Sequence, residues 1–174
     1  MGAAEEKYNT GARVAIRPAT QSDLRAMGRL GALLVRTHHQ LDPARFIPAS
    51  PRTETSYASF LETQLDDPAI ILLVAEQDGD VIGYSYAGIE GYDYMSLRGP
   101  AGVLHDIVVD PASRRQGVGR MLLSATVAAL ENRGAPQIVL STASGNEAAQ
   151  RLFAAAGFRP TMIEMTKELT GGEG

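Results

Sequence analysis

The sequence predicts a mixed α/β domain, and three observations carry that expectation. Four segments repeat apolar residues at helical spacing and six short apolar runs are bounded by Gly, Pro, Asp or Asn, which gives the order β–α–α–β–β–β–α–β–α–β. A strand-like run at 102–109 leads through Asp110-Pro111 into a basic, glycine-bearing loop that opens a helix. The chain's 174 residues, 44% hydrophobic and 21% charged, are enough to bury one sizeable core.

In order, Met1 to Ala12 is polar and aperiodic, an expected loose end. One domain over 13–169 follows, with a short flexible tail over 170–174. Val14–Arg17 reads as a short strand closed by Pro18, and Thr20-Gln21-Ser22-Asp23 as a capping box. Leu24, Met27, Leu30, Leu33 and Leu34 predict a first helix to about Thr37, and His38–Pro51 a loop. Tyr57, Phe60, Leu61 and Leu65 predict a second helix. Ala69–Glu76 fits a strand buried on both faces, joined through the turn pair Asp78-Gly79 to a partner strand over Val81–Ile89. Glu90–Ala101 is a Gly- and Tyr-rich loop long enough to be functional. After the strand Gly102–Val109, the helix opened near Gly119 stops at Asn132-Arg133-Gly134. A strand over Gln137–Thr142, a helix over Asn146–Ala156 and a last strand over Met162–Leu169 complete the order.

Composition excludes several functions. A net charge of −4 makes duplex nucleic acid an unfavourable partner and favours cationic small molecules or basic peptides. The absence of cysteine excludes disulfides and thiolate catalysis. Three histidines leave little material for a metal site: His38 and His39 diverge, and Asp42 completes no ligand spacing. No run approaches the ~20 apolar residues of a membrane span, and the N-terminus has no signal-peptide pattern, so a cytoplasmic location is expected.

The loop Arg114-Arg115-Gln116-Gly117-Val118-Gly119-Arg120 has the chemistry of a phosphate site. First-turn N–H groups lack intrahelical partners, glycines let the main chain approach phosphate oxygens, and arginines surround them. Arg114-x-x-Gly117-x-Gly119 resembles the Gln/Arg-x-x-Gly-x-Gly/Ala motif of the GCN5-related N-acetyltransferases (GNAT), and Val109-Asp110-Pro111 resembles that family's strand exit. Asn146-x-x-Ala149-x-x-Leu152-Phe153, followed by Gly157-Phe158, is similar to its second signature. The likeness covers roughly Val14 to Leu169.

It implies an α/β (α+β) fold with a mostly antiparallel central sheet of six to seven strands, flanked by about four helices. The fourth strand would be bulged and splayed from the fifth. It implies acetyl-CoA as cofactor, its pantetheine arm on the backbone of Ile107, Val108 and Val109. The pyrophosphate would lie among Arg114, Arg115, Gln116, Gly117, Val118, Gly119 and Arg120, with Asn146 and Phe153 beside the cofactor. The implied reaction is direct attack of a primary amine, of a small molecule or peptide, on the thioester in a ternary complex. A sensor that binds acetyl-CoA, or a transferase using another acyl-CoA or acceptor, remains open, and so does a homodimer.

That chemistry needs a base, because a free amine is protonated at neutral pH. His105 and Asp106 are the polar pair in an apolar strand, and alternation places them on opposite faces, so at most one should meet the acetyl group. Glu90 is a third candidate, able to act through a water. Phe153 stands where the family's general-acid Tyr is usual and has no proton to give. The thiolate then leaves unassisted, or Tyr84, Tyr86, Tyr92 or Tyr94 takes that part. Tyr92-Asp93-Tyr94 is read as an aromatic and acidic wall for a cationic acceptor, with a mobile lid as the alternative.

Overall fold

One hairpin sets the sheet. β2 (Ile70–Gln77) and β3 (Asp80–Glu90) are joined by Asp78 and Gly79 at φ 54° and 86°. A two-residue turn that matches strand twist needs positive φ at both positions, and Asp-Gly adopts it at low cost. The computed structural model describes residues 13–169, so the expected loose ends over 1–12 and 170–174 lie outside the described residues.

β1 (Ala15–Pro18) pairs antiparallel with β2, and β4 (Ala101–Val109) antiparallel with β3. β5 (Ile138–Leu140) pairs parallel with β4, which gives the order β1-β2-β3-β4-β5. The mixed, mostly antiparallel sheet is as expected, but it has five strands among the described residues rather than six to seven. β5 is also shorter than the expected 137–142. Met162–Leu169 carries a strand's alternation and forms none. A strand requires a neighbour to receive its hydrogen bonds, and among the described residues this segment pairs with no strand.

Among the described residues four α-helices flank the sheet. Met27 and Leu30 of α1 (Leu24–Leu41) and Leu61 of α2 (Thr53–Glu62) pack on Leu72, Val74, Tyr84 and Val108. Leu123 and Leu130 of α3 (Val118–Asn132) and Phe153 of α4 (Glu147–Ala155) pack on the other face, against Ile71, Ala87 and Leu104. Alternate residues of β2 therefore feed opposite cores, which is why that strand reads as continuously apolar. Fully buried leucines such as Leu61, Leu122 and Leu130 each contribute ~2 kcal/mol.

The start of α1 is held by charge. The Asp23 carboxylate accepts from the Thr20 N–H at 2.8 Å and the Arg17 Nη1 at 2.7 Å, and Arg17 Nε reaches Glu76 at 2.7 Å. The Arg17 hydrogen bond holds the Asp23 carboxyl down at about 2. α1 runs four residues past the expected Thr37, because nothing before Asp42-Pro43 interrupts it. His38 Nδ1 lies 2.9 Å from the Leu34 carbonyl and His39 Nδ1 2.7 Å from that of Phe46. α1 and α2 touch at two glycines. A Cβ on Gly31 would stand 2.2 Å from the Tyr57 ring, and one on Gly28 2.5 Å from the Glu54 carbonyl oxygen. No helix among the described residues is long and apolar enough to cross a membrane.

Candidate active site

The pairing of β3 with β4 slips by one residue at the centre of the sheet. Tyr86 opposes Asp106 and Ala87 opposes Leu104, so His105 is the extra residue of a β-bulge. The expected alternation fails there. The His105 ring stacks on Tyr86 at 4.8 Å, and Asp106 accepts from the Tyr84 hydroxyl at 2.9 Å. Tyr84 and Tyr86 share one face of β3, so His105 and Asp106 both turn toward the α1/α2 side. Two polar groups that simple strand geometry separates are brought together.

Each has its own set of partners. His105 Nε2 lies 3.0 Å from Glu90 Oε1, and Glu90 Oε2 accepts from Arg98 Nη2 at 2.9 Å. Asp106 Oδ2 accepts from Tyr57 at 3.0 Å as well as from Tyr84. Burial pushes the Asp106 carboxyl above the usual carboxylate range, while the two hydroxyls and the nearby His105 and His38 pull it back. Burial, reinforced by the Asp106 charge, raises both phenols and keeps them protonated as donors. Asp106 is thus a half-buried carboxylate that receives two hydroxyls on one oxygen.

Both residues line an open cleft of about 250 Å³. Leu34 and His38 of α1, Phe46 and Ile47 form one wall, and Leu140 to Thr142, Asn146 and Phe153 the other. The cleft exists because β4 and β5 pair only through 102–104 and 138–140, after which the strands part. From His105 onward β4 has no strand on its outer side, which matches the expected splay. Leu104 and Ile107 also line the opening.

At the end of β4, Asp110 Oδ1 accepts from the Ala112 N–H at 2.9 Å and turns the chain through Pro111–Ser113. Arg115 at φ 60° and Gly117 at φ 80° then start α3. Nothing lies within 4 Å of a Cβ placed on Gly117, and a Cβ on Gly119 would meet only Leu152 and Val109 at ordinary contact distance. Packing inside the protein therefore does not call for either glycine: the positive φ of Gly117 suits a residue without a Cβ, and both positions leave the main chain open to close approach by a ligand. Arg114 Nε donates to the Val109 carbonyl at 3.1 Å; Arg115 and Arg120 are exposed. Asn146 caps α4, its Oδ1 accepting from the Ala149 N–H at 3.2 Å, and Phe153 packs edge-on against Phe158.

Other expected site residues are placed elsewhere. Glu90 meets His105 but does not itself line the cleft. Tyr92, Asp93 and Tyr94 sit on the 91–100 hairpin outside it, and Asp93 is spent on that hairpin, accepting from the Ser96 hydroxyl at 2.7 Å. Tyr57 and Arg98 were not read as site residues from the sequence. The available signal for Tyr57 was a hydroxyl on an apolar helix stripe, which needs a buried partner. For Arg98 there was none, since it turns inward only because the hairpin folds back.

The acetyltransferase (GNAT) family profile matches residues 35–158. The chain belongs to this family. A mycothiol acetyltransferase of Thermobispora bispora is 38% identical over 103 residues, 57% of this chain and 33% of that protein. An aminoglycoside N(6')-acetyltransferase type 1 of Klebsiella aerogenes is 30% identical over 105 residues, 60% of this chain and 69% of that protein. The chain thus spans about a third of the length of the first relative and more than two thirds of the second. The crystal structure of the aminoglycoside N-acetyltransferase AAC(6')-Iy in complex with CoA superimposes with a TM-score of 0.68 at 23% identity, over 92% of this chain and 97% of that one.

Proposed function

We propose that the chain is an acetyl-CoA-dependent N-acetyltransferase whose acceptor is a primary amine of a small molecule or peptide, attacking directly in a ternary complex. The observation that carries this reading is the convergence of His105 and Asp106 in the cleft, one strand length from the Gly117–Gly119 turn. Family membership and the names of the relatives support it, and the aminoglycoside relative makes an amino-sugar amine a first acceptor to try.

The main-chain N–H groups at the start of α3, opened by Gly117 and Gly119 and flanked by Arg114, Arg115 and Arg120, would hold the coenzyme's pyrophosphate. The unpaired side of β4 over Ile107, Val108 and Val109 would receive its pantetheine arm, and bound acetyl-CoA would supply the thioester. Asp106 attracts the acceptor's ammonium from the cleft floor. His105 takes the proton from it. Glu90 holds the Nε2 proton of the imidazole, which leaves Nδ1 with the lone pair that acts as base.

Phe153 contributes packing only. Of the hydroxyls suggested as a substitute acid, Tyr84 is spent on Asp106, and Tyr86, Tyr92 and Tyr94 do not line the cleft. The thiolate therefore departs without a tyrosine at the usual position, as its ordinary pKa of ~8.5 allows.

That same Phe153 favours a second reading, a coenzyme-binding sensor with little turnover. Free-thiol release from acetyl-CoA with a panel of amines, amino sugars and polyamines included, separates the two. Turnover with any amine removes the sensor reading. Tight acetyl-CoA binding with no thiol release across the panel rejects the transferase.

A further inference from the structure

Apart from His38, the α1 wall of the cleft is apolar. Leu34 and Val35 of α1, with Phe46 and Ile47 of the loop that follows, line it together with His105 and Asp106. Ile47 is 76% exposed, so its side chain has surface left to cover. The wall is held in place by its own contacts. The Phe46 N–H donates to the Asp42 carbonyl at 3.0 Å, the Phe46 carbonyl lies 2.7 Å from His39 Nδ1, and the His38 ring meets that of Phe46 edge-on at 5.0 Å. An apolar surface kept open in this way favours an apolar occupant.

Among the described residues that line the cleft, Asp106 is the single carboxylate. Neighbouring acids are engaged elsewhere: Glu90 on His105 and Arg98, and Glu164 on Arg45. His38 is the basic group of the wall, and its Nδ1 is turned to the Leu34 carbonyl at 2.9 Å. An acceptor with one ammonium therefore finds its counter-charge at Asp106. A second ammonium, or a ring of hydroxyls, would give up its water against Leu34, Val35 and Ile47 with nothing to replace it, which is costly. Size points the same way. The cleft holds about 250 Å³, below the range of roughly 300–1,000 Å³ usual for drug-sized ligands, and the end of the coenzyme must share it.

We infer that the acceptor is a small monoamine, with one primary ammonium at the end of an alkyl or aryl body, rather than a polyamine or an amino sugar. The inference rests on the acetyltransferase reading of the same site and narrows it. The ammonium meets Asp106, and the body lies along Leu34, Val35, Phe46 and Ile47. As the nitrogen bonds the acyl carbon, its proton passes to His105 and the carbon–sulfur bond breaks with its electron pair on sulfur. Discrimination acts from both sides, because an apolar body gains burial while a second charge loses its water.

Matched pairs of amines test this. Initial rates of thiol release from acetyl-CoA should give hexylamine a kcat/KM at least about 10-fold above hexamethylenediamine, which differs by one ammonium. From propylamine to hexylamine each added methylene should raise kcat/KM about 4-fold, the yield of one buried CH2. Ile47→Glu, which puts a second carboxylate on the wall, should raise the diamine relative to the monoamine. A diamine, polyamine or amino sugar used as well as the matched monoamine overturns the inference. So does a flat methylene series, and so does an unchanged ratio in the Ile47→Glu protein. Calorimetric titration of the same pair into the protein saturated with coenzyme A keeps the two readings apart. If no amine releases thiol, the transferase reading falls, and tighter binding of hexylamine or of the diamine then decides the acceptor class by itself.

Discussion

At His105 and Asp106 the chemistry depends on which groups face each partner. His105→Ala should lower kcat by about 100-fold or more at neutral pH, the usual scale for a general base, while acetyl-CoA affinity stays as it was. Its rate should also lose the acid limb of the parent's pH profile; retention of that limb would remove His105 from the base role. Asp106 offers a different check. Tyr84→Phe takes one of two donors from a half-buried carboxylate and should cost about 1–3 kcal/mol of stability. The sign with pH follows from the raised carboxyl: the ionised form is the one that suffers, so the loss should be larger at neutral pH than in mild acid. Urea titrations at two pH values measure it, and an equal loss at both would mean Asp106 is not charged in the folded protein. The sequence exposed both candidates as polar interruptions of an apolar strand. It could not show that they share a face, because a bulge is defined by a count against a partner strand.

Among the elements, the start of α1 is a local charge device. Asp23, nearly buried, is held at about 2, below its ordinary 3.8, so it adds stability above the unfolded value that is lost as pH falls from about 4 toward 2. Asp23→Asn should therefore cost about 1–2 kcal/mol at neutral pH, allowing for screening of the half-exposed Arg17. Its acid unfolding should also be flatter across that window, as circular dichroism would record. The start of α3 serves a ligand instead. Gly117→Val places a β-branched residue at φ 80°, at an expected cost of about 1–2 kcal/mol in stability, and should abolish acetyl-CoA binding in a protein that still folds. Calorimetry decides this; normal affinity would detach the phosphate site from that turn. Both elements were legible in the sequence, since a capping box and a glycine turn depend on residues three or four apart. The end of α1 was placed too early because the stretch from His38 to Pro51 has three prolines and no apolar period, whereas the first of those prolines, Pro43, stops the helix only after Leu41.

On the scale of the whole molecule, the cleft is where β4 and β5 cease to pair, so binding there should tie the two halves of the sheet together. Acetyl-CoA at 100 times its Kd should raise stability by about 2.7 kcal/mol, read as a rise in Tm that the Gly117→Val protein does not show. The sequence by itself determined the order of strands and helices as far as α4, the Asp78-Gly79 hairpin and the basic glycine turn, because those signals act between residues close along the chain. Tertiary structure alone decided four things. It put His105 and Asp106 on one side and set Tyr57 and Tyr84 on a single carboxylate oxygen. It turned Arg98 onto Glu90 and left residues 162–169 without a pairing strand among the described residues. Each depends on which distant segment lies alongside, and that choice is made by burial and pairing across the fold rather than by local preference.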